Sequence, residues 1–134
     1  MNILTRTTAL STVAALAVVA GGVAVSAPAE AKSRVVSARA HCTTTHTVGS
    51  LKAKASNGLI EVEFQVDSNR NGQRWTYTIR RNGALKASGA RLTLAPSGSF
   101  TVAKRISNAA GVDRIVAVAK NTRTGEVCTA TVRY

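Results

Sequence analysis

The sequence predicts an all-β domain, an antiparallel sandwich or barrel of about 7–8 strands, on three observations. Apolar and polar residues alternate with period two along most of the chain beyond residue 32. No window carries the 3.6-residue stripe of an amphipathic helix. Clusters of Gly, Asn, Ser and Pro interrupt the alternation at short, regular intervals, which is the spacing of turns between short strands.

The first strand is expected over residues 33–43 and the second over 49–55. The clearest strand covers 59–67, where Val62, Phe64 and Val66 face one way and Glu61, Glu63, Gln65 and Asp67 the other. Residues 73–81 follow, turning Trp75, Tyr77 and Ile79 inward and Arg74, Thr76, Thr78 and Arg80 outward. Ser68-Asn69-Arg70-Asn71-Gly72 is made of turn formers, so these two strands are expected to form an antiparallel hairpin. Their acidic and basic outer faces would attract by roughly 0.2–1 kcal/mol per pair.

Arg81-Asn82-Gly83 reverses the chain. A two-residue Asn-Gly turn would set Lys86 opposite Ile79 on the buried face. A three-residue turn with Gly83 in the left-handed conformation is expected instead, pairing Ile79 with Leu85 and Tyr77 with Ala87. Further strands are expected over 90–94, 99–106, 113–120 and 126–134, with Pro96-Ser97-Gly98 and Asn121–Gly125 as connections. On the last strand Cys128, Ala130 and Val132 share a face, as Ala38, Ala40 and Cys42 do on the first. Both cysteines therefore look inward.

Asn108-Ala109-Ala110-Gly111-Val112-Asp113, leading into Arg114–Asn121 and Gly125, resembles the penultimate strand and final hairpin of immunoglobulin-like and fibronectin type III-like sandwiches. Trp75 is placed like the core tryptophan of an early central strand in those folds. The resemblance implies an antiparallel immunoglobulin-like β-sandwich over the whole of 32–134. Two features depart from the family: Ile115 stands where an aromatic often opens the penultimate strand, and the cysteines lie on the terminal strands. A fold of this kind names no function by itself.

Residues 1–31 read as a secretory signal peptide. Arg6 lies in a short polar start, Ala9–Val25 is apolar, and Ala29-Glu30-Ala31 provides the small residues of a cleavage site before Lys32. The expected product is a secreted, extracellular single domain, 32–134, with no membrane span after cleavage and no lipid-anchoring Cys. In an oxidising compartment Cys42 and Cys128 form one disulfide, closing a loop of almost the whole domain. The chain holds 18 Lys and Arg against 6 Asp and Glu, a net charge of +12 that survives cleavage because Arg6 and Glu30 leave together. Such a surface attracts polyanions and keeps a small protein soluble and monomeric.

His41, Cys42 and His46 cluster closely, yet a closed zinc site needs four ligands and no C-x-x-C or second His pair completes one. No metal or cofactor is expected. Glu61, Glu63 and Asp67 lie on a solvated strand face, Asp113 opens a strand and Glu126 follows a turn, so no pair of carboxylates is aimed at one bond. Nothing positions His41 or His46 beside a nucleophile, and no phosphate-loop or dinucleotide signature occurs, so the chain reads as non-enzymatic.

A binding role is the stronger expectation. Arg80, Arg81 and Lys86 cluster at the end of one hairpin, and Lys104 with Arg105 forms a second basic pair, both able to grip phosphate or carboxylate. The expected partner is an anionic cell-envelope polymer or an acidic protein. The alternative is a cationic secreted effector, an enzyme inhibitor or antimicrobial protein, acting through a loop such as 68–72 or 121–125. Specific single-stranded nucleic acid binding is disfavoured because it needs exposed aromatics. Trp75, Tyr77, Phe64 and Phe100 are assigned to the core, leaving only Tyr134 free.

Overall fold

Alternating burial builds nine strands in the computed structural model, which describes Gly22 and residues 34–134. They are β1 (Val35–Arg39), β2 (His41–Cys42), β3 (Val48–Ser56), β4 (Leu59–Asp67), β5 (Arg74–Arg81), β6 (Ala84–Leu92), β7 (Ser99–Ser107), β8 (Arg114–Asn121) and β9 (Val127–Arg133). Apart from Gly22, the leader assigned to residues 1–31 and its cleavage point lie outside the described residues. Among the described residues no helix is long and apolar enough to cross a membrane.

The strands form two antiparallel sheets, a four-stranded one ordered β1-β3-β4-β7 and a five-stranded one ordered β2-β9-β8-β5-β6. One core lies between them. Leu51, Val62, Phe64, Val66 and Val102 face it from the first sheet, and Trp75, Ile79, Ile115, Ala117 and Cys128 from the second, all fully buried. Trp75 meets Phe100 across the gap at 6.2 Å between ring centroids, tilted by 47°. Tyr134 is also buried at 9% exposure and carries the Arg34 guanidinium over its ring at 5.6 Å, so it is not a free aromatic.

The expected hairpin between 59–67 and 73–81 does not form. β4 pairs with β3 and β7 in the four-stranded sheet, while β5 pairs with β6 and β8 in the other. The turn formers of 68–72 carry the chain from one sheet to the other, a gap of about 10 Å. The hairpin partner of β4 is β3, joined through Asn57 and Gly58, both left-handed at φ 48° and 76°. The acidic face of β4 is accordingly met by Lys52 and Lys54 of β3, with Lys54–Glu61 at 3.3 Å and Lys52–Glu63 at 3.7 Å.

The three-residue turn after β5 is also replaced. Arg81 pairs with Ala84 across a two-residue Asn82-Gly83 turn, φ 49° and 86°, and the register then slips between Ile79 and Arg80. Arg80 faces Leu85, and Ile79 faces Ala87, so Lys86 is the extra residue of a bulge. Keeping the charge off the core was the right constraint. A bulge, not a longer turn, satisfies it. The single strand β6 spans the residues between this turn and Leu92, where a separate strand was expected only from residue 90.

The first strand is split: β1 joins the four-stranded sheet and β2 the five-stranded one. Cys42 therefore lies directly opposite Cys128 on β9, with Cα atoms 4.0 Å apart, and the two form a disulfide. The bridge is within one sheet, between its edge strand and its neighbour. It closes a loop over a sequence separation of 86, so the reduced or C42A/C128A protein is expected to be less stable by about 4 kcal/mol. Denaturant unfolding of both forms, with m-values compared, checks this.

At the other end of β5 a buried carboxylate ties three segments together. Asp113 is fully buried and accepts hydrogen bonds from Asn82 Nδ2 at 3.0 Å and the Ala109 amide at 3.1 Å. Arg81 Nε stands 3.6 Å from the same carboxylate. The backbone of Asp113 exchanges two hydrogen bonds of 2.8 Å with Tyr134 at the chain end. Asp113→Ala removes the carboxylate facing Arg81 and leaves the Asn82 and Ala109 donors without their acceptor, so a loss of about 3 kcal/mol is expected in the same unfolding assay. Asn82→Ala, which also removes a left-handed Asn, should cost less.

Candidate functional site

Burial of one side of each strand sorts the remaining charge onto two outer faces of different character. On the four-stranded sheet the outer face carries Arg39, Lys52, Lys54 and Arg105 interleaved with Glu61, Glu63 and Asp67. Register places Glu61 between Lys54 and Arg105. Opposite charges lie side by side, and the face is nearly neutral.

The outer face of the five-stranded sheet has no such compensation. Arg74, Thr76, Thr78 and Arg80 alternate with the buried side of β5, as do Arg114, Val116, Val118 and Lys120 on β8 and Val127, Thr129, Thr131 and Arg133 on β9. Pairing lines these into rows: Thr76 with Lys120 and Val127, Thr78 with Val118 and Thr129, Arg80 with Val116 and Thr131, and Arg114 with Arg133. The centre is a lattice of Thr and Val, and Arg74, Arg80, Arg114, Lys120 and Arg133 surround it, all exposed. Among the described residues no Asp or Glu stands on this face: Glu61, Glu63 and Asp67 are on the opposite sheet, Asp113 is buried and Glu126 sits in a turn. A flat surface of one sign focuses potential on an extended polyanion.

The residues singled out from sequence are distributed differently. Arg80 is on this face, and its Nη1 also donates to Gly83 O of its own turn at 3.2 Å. Arg81 points to the opposite side of β5, where its guanidinium faces Asp113 and donates to Ser107 O and, at 2.7 Å, to Ser107 Oγ. It is a structural cation. Lys86 is exposed in the bulge of β6. Lys104 and Arg105 are not a pair: Arg105 lies on the outer face of β7 and half-buried Lys104 on the side that carries Val102 and Ile106. Arg74, Arg114, Lys120 and Arg133 were the members missed. Their signal is the parity of each strand, which assigns every charge to a face once the inner residues are identified.

A second polar feature lies where the strands enter their loops. Thr43, Thr44, His46, Thr47, Ser68, Gln73 and Thr124 line a cleft of about 290 Å³, with Glu126 held by the Thr44 hydroxyl at its side. The loops around it are tightly bonded. Ser68 Oγ donates to Gly98 O at 3.2 Å, Gln73 N donates to Thr93 Oγ1 at 2.9 Å, and Thr93 Oγ1 donates to Arg70 O. Gly98 is left-handed at φ 71°, and a Cβ there would overlap the Arg70 backbone nitrogen. Asn121 Oδ1 accepts from Arg123 N at 2.9 Å and Thr124 N at 3.1 Å, fixing the turn between β8 and β9. Cys42 is consumed by its disulfide, so it offers no thiolate to His41 or His46.

No family model matches the chain, and neither a curated protein nor a solved structure matches it. Gly98→Ala combines a left-handed backbone with a backbone overlap. It is expected to destabilise by about 2–3 kcal/mol in thermal or denaturant unfolding, more than Gly125→Ala, where a Cβ meets open space.

Proposed function

We propose that the protein is a secreted, non-catalytic interaction module that docks electrostatically on an anionic envelope polymer through the outer face of its five-stranded sheet. One observation carries this reading: Arg74, Arg80, Arg114, Lys120 and Arg133 surround a flat Thr/Val lattice on which no described carboxylate stands. Arg side chains engage phosphate or carboxylate groups bidentately, and their spacing across three adjacent strands suits a repeating charge better than a point ligand. The intramolecular disulfide fits an oxidising compartment. An acidic protein would meet the same face, and salt would weaken either complex by screening.

The test is retention of the purified 32–134 domain on isolated cell envelopes and on immobilised heparin as a generic polyanion, each over a salt gradient. Retention on both that falls with salt is expected. R80E/K120E should lower the salt concentration of elution by at least half. R39E/R105E removes the same net charge from the opposite face and should leave elution nearly unchanged. Equal weakening by the two pairs would mean that net charge, not this face, governs binding, and no retention by the parent domain would overturn the docking reading altogether.

A further inference from the structure

The groove at the loop end of the sandwich adjoins the flat face and shares Arg74 with it. Arg70, Asn71, Gly72, Gln73, Arg74, Thr122, Arg123 and Thr124 enclose about 510 Å³ there. Arg70, Arg74 and Arg123 come from two different connections, 68–73 and 122–126, and the entry to β5. Among the described residues the side-chain ion pairs are Lys52–Glu63, Lys54–Glu61 and Arg81–Asp113, so none of these three guanidiniums has a carboxylate partner. Like charges drawn into one groove repel, and only the bonded turns keep them there. Thr122 donates to Arg74 O through both its amide, at 3.0 Å, and its hydroxyl, at 3.1 Å, and Asn121 holds the Arg123 amide. Gly72 N donates to Thr93 O at 2.7 Å on the other wall.

A second, independent observation concerns Gln73, which lines both this groove and the adjoining hydroxyl-rich cleft. Its Oε1 is buried and has no hydrogen-bond partner, as is true of Trp75 Nε1 and Asn121 Nδ2. Those two residues are fully buried and directly opposite each other on the inner side of β5 and β8. A buried amide oxygen without a donor is costly, and a turn of the Gln73 side chain into the groove would let a ligand hydroxyl offset that cost. The groove thus combines three cations for an oxyanion with the Gln73 amide and the hydroxyls of Thr122 and Thr124 for a polyhydroxylated body.

We infer that this groove is a binding site for one anionic sugar unit, its carboxylate or phosphate held by Arg70, Arg74 and Arg123 and a ring hydroxyl donated to Gln73 Oε1 once that side chain turns into the groove. The inference goes beyond the docking reading; the two surfaces share Arg74, and the variants below leave that residue in place, so either reading can fail alone. An end group or side branch of an acidic polymer would enter here while its chain lay elsewhere.

The experiment is an NMR titration of the disulfide-bonded domain with D-glucuronate, glucose 6-phosphate, inorganic phosphate and neutral D-glucose as separate probes. Saturable 1:1 shifts confined to residues 70–74 and 122–124 are expected with at least one acidic sugar, and none with glucose. The arm that saturates at lower concentration distinguishes carboxylate from phosphate. R70A/R123A should weaken that binding at least 10-fold while elution from heparin, governed by the flat face, changes little. Q73L should weaken the acidic sugar about fivefold and leave inorganic phosphate unaffected. R80E/K120E should leave sugar binding within twofold. Shifts spread over the flat face, binding unaffected by R70A/R123A, or inorganic phosphate bound as tightly as either acidic sugar would overturn the sugar assignment. Amide spectra of each variant, matching the parent outside the groove, exclude misfolding as the cause of a loss.

Discussion

Packing of the two sheets face to face, with Trp75 against Phe100 across the gap, is the constraint on which the other features depend. Each strand can bury only one of its two sides, so most inward residues are apolar and most charges are driven outward. Apolar burial contributes roughly 25 cal/mol per Å² removed from water, and in a domain of this size it leaves a modest margin. That margin explains why polar fasteners are placed at both ends of the sandwich: the disulfide and the bonded loops at one, the Asp113 cluster at the other.

The charge sorting is a direct consequence of which strands share a sheet. β4 carries Glu61, Glu63 and Asp67 outward, and it lies between β3 and β7, whose outward Lys52, Lys54 and Arg105 answer it. Nearly all exposed acid is thereby spent on one face. β5, β8 and β9 carry only Arg, Lys, Thr and Val outward, and bringing those three strands together makes a face of one sign. The same +12 net charge could have been spread evenly; strand order concentrates it.

Asp113 and Arg81 show how a surface-like residue becomes internal. Two arginines in succession end β5, and alternation forces one of them to the core side. Arg81 is accommodated there because Asp113 comes from the loop before β8 to meet it, and because Asn82 and the Ala109 amide complete the carboxylate's partners. The loop end has the reverse arrangement. There Arg70, Arg74 and Arg123 line one groove without an ion-pair partner among the described residues, and the hydrogen bonds of Thr93, Asn121 and Thr122 hold backbone and do not neutralise charge. One end of the domain closes its charges internally, and the other presents them.

What the sequence determined by itself was the class of fold, most of the inward residues and the one pair of cysteines available for a disulfide. Period two identifies Val62, Phe64, Trp75, Tyr77 and Ile79 as core whatever their partners, because alternation is a property of the single strand. Strand partners are not. The five turn formers after Asp67 can close a hairpin or cross between sheets, and nothing local distinguishes the two; the Asn57-Gly58 turn, a sharper local signal, marked the true hairpin of β4. The bulge at Lys86, the pairing of Arg81 with Asp113, the Arg34 guanidinium over Tyr134 and the groove that Arg70, Arg74 and Arg123 line together were decided only by tertiary structure. Each depends on residues distant in sequence that reach the same place, and local alternation carries no record of them.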